Sequence, residues 1–228
     1  MKKLNNSRYQ QLLAWAAVAC AALGFGLAAS AQTNTLTTLA PDSNKDLGLY
    51  LSGDAGSSFL PDTDTSRFGF PGKLSARRGL RTDIAPGYNF LATDKFTLGG
   101  ELETGLIYNH LSSVSKAGSS VTFRGDYYQV PMLGNLVFKA HPTPWCAPYV
   151  GAGAGGDYSW AGIHSPGFAG FQTSSSEIDP AAQALGGVRF KVSARCDVGV
   201  GYKFLAAFPA EGKYIGTHSV GASFSMRF

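Results

Sequence analysis

The chain has 228 residues, of which 44% are hydrophobic and only 15% charged, with 29 glycines and 12% aromatics. A charged share so far below the roughly 25% of soluble domains argues against an ordinary water-facing surface. Three of the four units of formal net charge (+4) come from Lys2, Lys3 and Arg8, so the remainder is nearly neutral and gives no case for a nucleic-acid partner.

Met1 to Gln11 is polar and basic, Leu12 to Ala29 is apolar, and Ala29-Ser30-Ala31 is a small-x-small cleavage sequence. These are the three regions of a secretory signal peptide, so residues 1–31 are expected to be removed. The apolar run is near the minimum length for a membrane-spanning helix, but Ala and Gly dominate it and a cleavage site ends it. Ala17-Val-Ala-Cys20 lacks the Leu of a lipoprotein signal, and the apolar run continues past it. Residues 32–46 form a polar lead. Residues 47–228 are expected to be one domain.

Eight runs of alternating polarity follow, and period-two alternation predicts strands. The first is about Leu47–Ser57, with Leu47, Leu49 and Leu51 on one face. The second is Leu80–Phe90, carrying Leu80, Ile84, Tyr88 and Phe90. The third is Phe96–Tyr108, carrying Phe96, Leu98, Leu102 and Leu106. The fourth is Tyr128–Ala140, carrying Val130, Met132, Leu136 and Phe138. The fifth is Pro148–Trp160, carrying Val150, Tyr158 and Trp160. The sixth is Ala181–Val192, carrying Ala184, Val188 and Phe190. The seventh is Asp197–Ala206, carrying Val198, Val200 and Tyr202. The eighth is Thr217–Phe228, carrying Val220, Phe224, Met226 and Phe228. Each suits the roughly 9–11 residues of a tilted membrane strand.

The connections alternate. Leu91–Lys95, Ala140–Ala147 and Ser193–Cys196 are short, whereas Ser58–Gly79, His110–Asp126 and Gly162–Asp179 read as long polar loops. Phe90, Phe96, Phe138, Phe190 and Phe228 fall at the short-turn ends of the apolar faces. Tyr108, Tyr128, Tyr158 and Trp160 fall at the long-loop ends. Two aromatic girdles around an apolar band are what a lipid interface selects. The expected fold is therefore all-β, an eight-stranded antiparallel up-and-down transmembrane barrel. A soluble lipocalin-type barrel would reverse the faces. The Gly- and Ser-rich, charge-poor polar faces, the aromatics sorted by end and the asymmetric loops oppose it.

The polar faces would point inward. They carry Asp54, Arg81, Asp83, Glu101, Glu103, Lys139, Asp157, Arg189, Lys191, Asp197, Lys203 and Arg227. Eight strands leave an interior that side chains fill, so the balanced charges predict a salt-bridged lumen. Glu101 and Glu103 would stand near mid-depth and need basic partners, with Arg81, Arg189 and Lys203 as candidates.

Pro86-Gly-Tyr88, Leu98-Gly-Gly-Glu-Leu-Glu103, Val130-Pro-Met-Leu-Gly-Asn-Leu-Val137, Pro148-Tyr-Val-Gly-Ala-Gly-Ala-Gly155 and Ala184-Leu-Gly-Gly-Val-Arg189 carry a resemblance. In style they resemble the OmpA-like, opacity-protein-like outer-membrane β-barrels over Leu47–Phe228, with no peptidoglycan-binding domain following the barrel. The resemblance implies a bacterial outer-membrane location with both termini periplasmic. It also implies contact with outer-membrane lipid and lipopolysaccharide, and recognition of the Phe228-terminated strand by the barrel assembly machinery. Its members are structural proteins, adhesins or narrow pores, and fold alone does not choose among them.

No cofactor or metal site is expected. Gly151-Ala-Gly-Ala-Gly-Gly156 lacks the Lys-Ser/Thr of a phosphate loop, and Asp62 and Asp64 lack the remaining ligands of a calcium loop. His141, His164 and His218 show no metal-ligand spacing. His110-Leu-Ser112 has the His-x-Ser spacing of outer-membrane lipid A deacylases, with Arg124 where the supporting acid would be sought, so the triad is incomplete. Cys146 and Cys196 permit one disulfide in an oxidising compartment, but an intervening strand opposes the needed Cα spacing. The function expected is a non-enzymatic barrel with a structural or surface role through its loops, where Phe68, Phe70 and Phe168 are candidate contacts. The alternatives are a narrow pore and a lipid A-modifying enzyme.

Overall fold

The computed structural model describes residues 46–61, 63–64, 73–116, 119–164, 172–210 and 214–228. The expected signal peptide, most of the polar lead, and Asp62, Phe68, Phe70 and Phe168 lie outside them. The strands are β1 (Gly48–Phe59), β2 (Thr63–Asp64), β3 (Lys73–Ala76), β4 (Gly79–Ala92), β5 (Phe96–Lys116), β6 (Ser119–Ala140), β7 (Cys146–His164), β8 (Gln172–Lys191), β9 (Cys196–Ala207) and β10 (Ile215–Arg227). Eight of them pair antiparallel in the order β5-β4-β1-β10-β9-β8-β7-β6, and β5 returns to β6 to close the barrel. Closure leaves no unpaired edge along the wall.

Strand parity sorts the side chains as expected. Leu49, Leu80, Leu102, Met132, Leu136, Val150, Val200 and Val220 are exposed on the outward face, while Arg81, Glu103, Asp157 and Lys203 are buried inside. The strand ends differ from the sequence reading. Most of His110–Asp126 is not a loop, because β5 and β6 continue as a hairpin whose pairing extends to Lys116 and Ser119. Gly162–Asp179 is shortened likewise by the pairing of β7 with β8 up to His164 and Gln172. Within Ser58–Gly79, β3 runs along the upper part of β5.

The physical reason is an inversion of polarity. Above the aromatic girdle the apolar side chains change sides, and Leu60, Leu111, Tyr127, Ala161 and Ile215 pack together as buried residues. Tyr127 and Ala161, like Leu111, hold inward strand positions opposite the parity of the outward Tyr128 and Trp160. Alternation tuned to an outward apolar face therefore stops, while the backbone ladder continues.

A row of glycines crosses four strands of the wall. Gly187 pairs with Gly201, Gly201 with Gly221 and Gly221 with Gly56 across β8, β9, β10 and β1. A Cβ on Gly221 would stand 2.6 Å from the Gly56 Cα, so only hydrogen fits where these backbones approach closely. Gly221→Val is expected to lower barrel stability by about 1–3 kcal/mol and to lower the temperature of the gel-mobility transition. Gly134→Ala, where a Cβ meets nothing nearer than 3.9 Å, should leave that transition in place.

Candidate functional site

The centre of the lumen is a charge network built from alternate positions of β4, β5 and β9. Arg81 and Asp83 are two residues apart on β4, so both point inward, and the Arg81 Nε donates to Asp83 Oδ2 at 2.9 Å. The Arg81 Nη2 donates to Glu103 Oε1 at 2.6 Å. Asp54 and Asp83 are direct cross-strand neighbours, a like-charge pairing that is unfavourable by itself. Lys203 resolves it, with Nζ 3.0 Å from Asp54 Oδ2, 2.8 Å from Asp83 Oδ1 and 3.1 Å from Glu103 Oε2.

Neutral amides complete the set. Asn135 Nδ2 and Gln183 Nε2 donate to Glu103 Oε2 at 2.8 and 3.0 Å, and Gln183 Oε1 accepts from Arg81 Nη2 at 2.6 Å. Apolar side chains bound the network on both sides. One inward step along β8 from Gln183 to Ala181, and along β9 from Lys203 to Leu205, enters a buried cluster with Ile107 and Leu133. The opposite step, from Gln183 to Leu185 or Asn135 to Val137, enters another with Tyr149. A pocket of about 10 Å³ beside Asp54, Arg81, Lys203, Ser219 and Gly221 holds no more than about one water.

The charges nearer the short turns are held differently. Glu101 accepts from Ser52 Oγ at 3.0 Å and touches no cation among the described residues. Of its three candidate partners, Arg81 and Lys203 serve Glu103. The Arg189 guanidinium instead lies 4.5 Å from the Tyr149 ring centre, and Lys139 Nζ lies 3.9 Å from that of Tyr50. Both contacts are cation–π arrangements. At the mouth, Arg227 makes a two-pronged pair with Asp197 at 2.7 and 3.1 Å and reaches Asp46 at 3.5 Å.

Sequence reasoning missed the amides Asn135 and Gln183 and the rings of Tyr50 and Tyr149. Their signal was inward parity alone. It also placed Asp179 in a loop, whereas Asp179 is buried on β8 directly opposite Asp157. Gln129 Nε2 donates to Asp157 Oδ2 at 2.7 Å.

The outer wall carries the aromatics. Toward the short turns Phe96 stacks on Phe138 at 5.5 Å and Trp145 on Phe190 at 6.0 Å, with Phe90 and Phe228 exposed. Toward the long loops Tyr108, Tyr128 and Trp160 form a chain with centroids 5.0 and 5.1 Å apart, and Tyr158 is exposed nearby. One rung beyond, His110 does have an acid. Asp126 faces it across the hairpin, with His110 Nδ1 3.2 Å from Asp126 Oδ1. Reading this stretch as a loop hid that register. The Ser112 hydroxyl donates to the Ser75 carbonyl at 3.0 Å. Cys146 and Cys196 carry free thiols at the starts of β7 and β9, with β8 between them.

Residues 17–228 match the model of the family described as outer membrane protein beta-barrel domain. Among solved structures, neisserial surface protein A (NspA) is similar with a TM-score of 0.50 and 17% identity, over 79% of this chain and 97% of that one. OprG from Pseudomonas aeruginosa gives 0.52 and 14%, over 80% and 98%. Ail, the attachment invasion locus protein of Yersinia pestis, gives 0.43 and 15%, over 79% and 99%. No curated protein matches significantly in sequence.

The two central glutamates should differ in weight. Glu103→Gln removes the anion that two buried cations share, and is expected to cost about 3 kcal/mol. Glu101→Gln, which leaves no paired cation behind, is expected to cost about 1 kcal/mol. Urea unfolding of the refolded barrels, followed by mobility or tryptophan fluorescence, measures the difference.

Proposed function

Because this chain belongs to the outer membrane protein beta-barrel family, we propose that it is a non-enzymatic barrel of the bacterial outer membrane with a structural or surface-interaction role. Both termini then face the periplasm. The long-loop end, with the β5–β6 and β7–β8 hairpins standing above the aromatic girdle, faces outward as the contact surface. The signal peptide delivers the chain to the periplasm, and the C-terminal strand engages the assembly machinery.

The observation that carries this reading is the filled lumen. Arg81, Asp83, Glu103 and Lys203 are each at most 9% exposed, and the apolar clusters on either side oppose a continuous water path. An ion crossing here would have to displace hydrogen bonds of 2.6–3.1 Å. The refolded mature protein in a planar bilayer is therefore expected to give heat-modifiable gel migration with no steady single-channel conductance. Steady conductance altered by Glu101→Gln would move the protein to the narrow-pore class.

A lipid A-modifying role has one observation in its favour, the His110–Asp126 contact at 3.2 Å, which is how an acid orients a general base. Against it, the Ser112 hydroxyl is spent on the Ser75 carbonyl. Mass spectra of lipid A from cells expressing the protein are expected to show no change. A mass shift that disappears in His110→Ala would install the enzymatic reading.

A further inference from the structure

We propose that Asp46, just ahead of β1, is a latch that fastens the seam between the first and last wall strands at the short-turn mouth and holds the closed barrel shut. This goes beyond the role of the loops and applies to the barrel whatever its outer surface contacts.

The seam is the weak line of the wall. Every neighbouring pair of wall strands is consecutive in the chain except β1 and β10, the first and the last. Their pairing runs only from Tyr50–Arg227 to Phe59–His218, while β7 and β8 pair from Cys146–Phe190 to His164–Gln172. Many of its rungs are small. Ser52 faces Ser225, Ala55 faces Ala222, Gly56 faces Gly221 and Ser58 faces Ser219, so cross-strand side-chain pairs add little there. Closing the seam also brings together residues at the two ends of the chain, the pairing with the greatest loop-closure cost.

At the short-turn end, side chains fasten this seam. Asp46 Oδ1 lies 3.5 Å from Arg227 Nε, and the two side chains are only 13% and 14% exposed. The other edge of the same guanidinium holds both oxygens of Asp197 on β9. The Asp46 carbonyl accepts from Asn89 Nδ2 of β4 at 2.7 Å. Asp46 Oδ2 faces His141 Nε2 at 4.0 Å, and that nitrogen lies 2.8 Å from Thr97 Oγ1 of β5. One residue ahead of β1 therefore ties together β4 and β10, the two strands that flank β1, and reaches the β6–β7 turn as well. The passage from Asp46 into β1 is set at Gly48, whose φ is +116°, a conformation that favours glycine. A Cβ there would meet nothing within 4 Å, so the backbone and not the packing requires glycine.

The latch forms only once β10 has paired with β1, and is absent while the sheet is open. Interactions made that late slow unfolding without speeding folding. The refolded mature protein is taken through urea jumps in both directions, with the folded fraction read from the gel migration of unheated samples. Asp46→Asn keeps the carbonyl that Asn89 holds and removes the charge. It is expected to raise the unfolding rate about fivefold, the scale of a partly exposed ion pair, and to leave the folding rate unchanged. Gly48→Ala, which strains the backbone without a clash, is expected to act in the same way. In an Arg227→Gln background, Asp46→Asn is expected to add nothing further. Backbone amide exchange locates the effect, rising in β1 and β10 and unchanged in β5 and β6. An unfolding rate that Asp46→Asn leaves unchanged overturns the proposal, and so does an equal acceleration with Arg227 already replaced. Slower folding, or exchange that rises evenly around the wall, would show a contact made early or a general weakening and overturns it too.

Discussion

A carboxylate at the centre of a barrel eight strands wide has almost no water to answer it, and Glu103 is that carboxylate. Its side chain has no exposed surface. The penalty for such burial is several kcal/mol unless protein groups replace the solvent. Here they do so from four strands. Arg81 comes from β4, Asn135 from β6, Gln183 from β8 and Lys203 from β9, all converging on a residue of β5. The partners are far apart in sequence and become neighbours only once the sheet has closed. The network therefore favours this register over its alternatives, since a slip of one residue would carry every charge to the lipid-facing side.

The wall obeys a second constraint, which changes along the strand. Within the lipid band the apolar face is outward and the interior is polar. Above it, the cluster around Leu111 and Tyr127 turns the same strands into an ordinary water-soluble sheet with a buried apolar side. The transition is marked by the Tyr108–Tyr128–Trp160 chain. A polar pair just above that chain, His110 and Asp126, sits where lipid ends and water begins.

Much of this was legible in the sequence, for one reason. Where one face meets lipid and the other a packed lumen, period-two alternation is enforced at each position. Strand number, inward charges and both girdles followed from it. Phe90, Phe96, Phe138 and Phe190, for instance, needed only parity and position. The reading failed where that enforcement lapses. Asp126 was assigned to a loop because its strand had left the lipid band and the apolar parity had inverted, and Asp179 because the polar run Ser174–Glu177 before it and Pro180 after it masked the strand signal. Asn135 and Gln183 were passed over because a neutral amide on an inward face is unremarkable until a carboxylate is known to need it. The division between Glu103, with two cations, and Glu101, with none in contact among the described residues, depends on the stagger of the closed barrel, which alternation does not encode.

The measurement that tests the central claim most directly is a double-mutant cycle on Arg81 and Glu103, replacing each by Met singly and together in the refolded barrel and measuring unfolding in urea. If the pair is the buried partnership described, each single change strands a charge, and the double change recovers a large part of the loss. The coupling would then be on the order of 3 kcal/mol. Additive losses, with the double variant as unstable as the two singles combined, would show that water answers these charges independently and that the lumen is not the dry, ion-paired core on which the account rests.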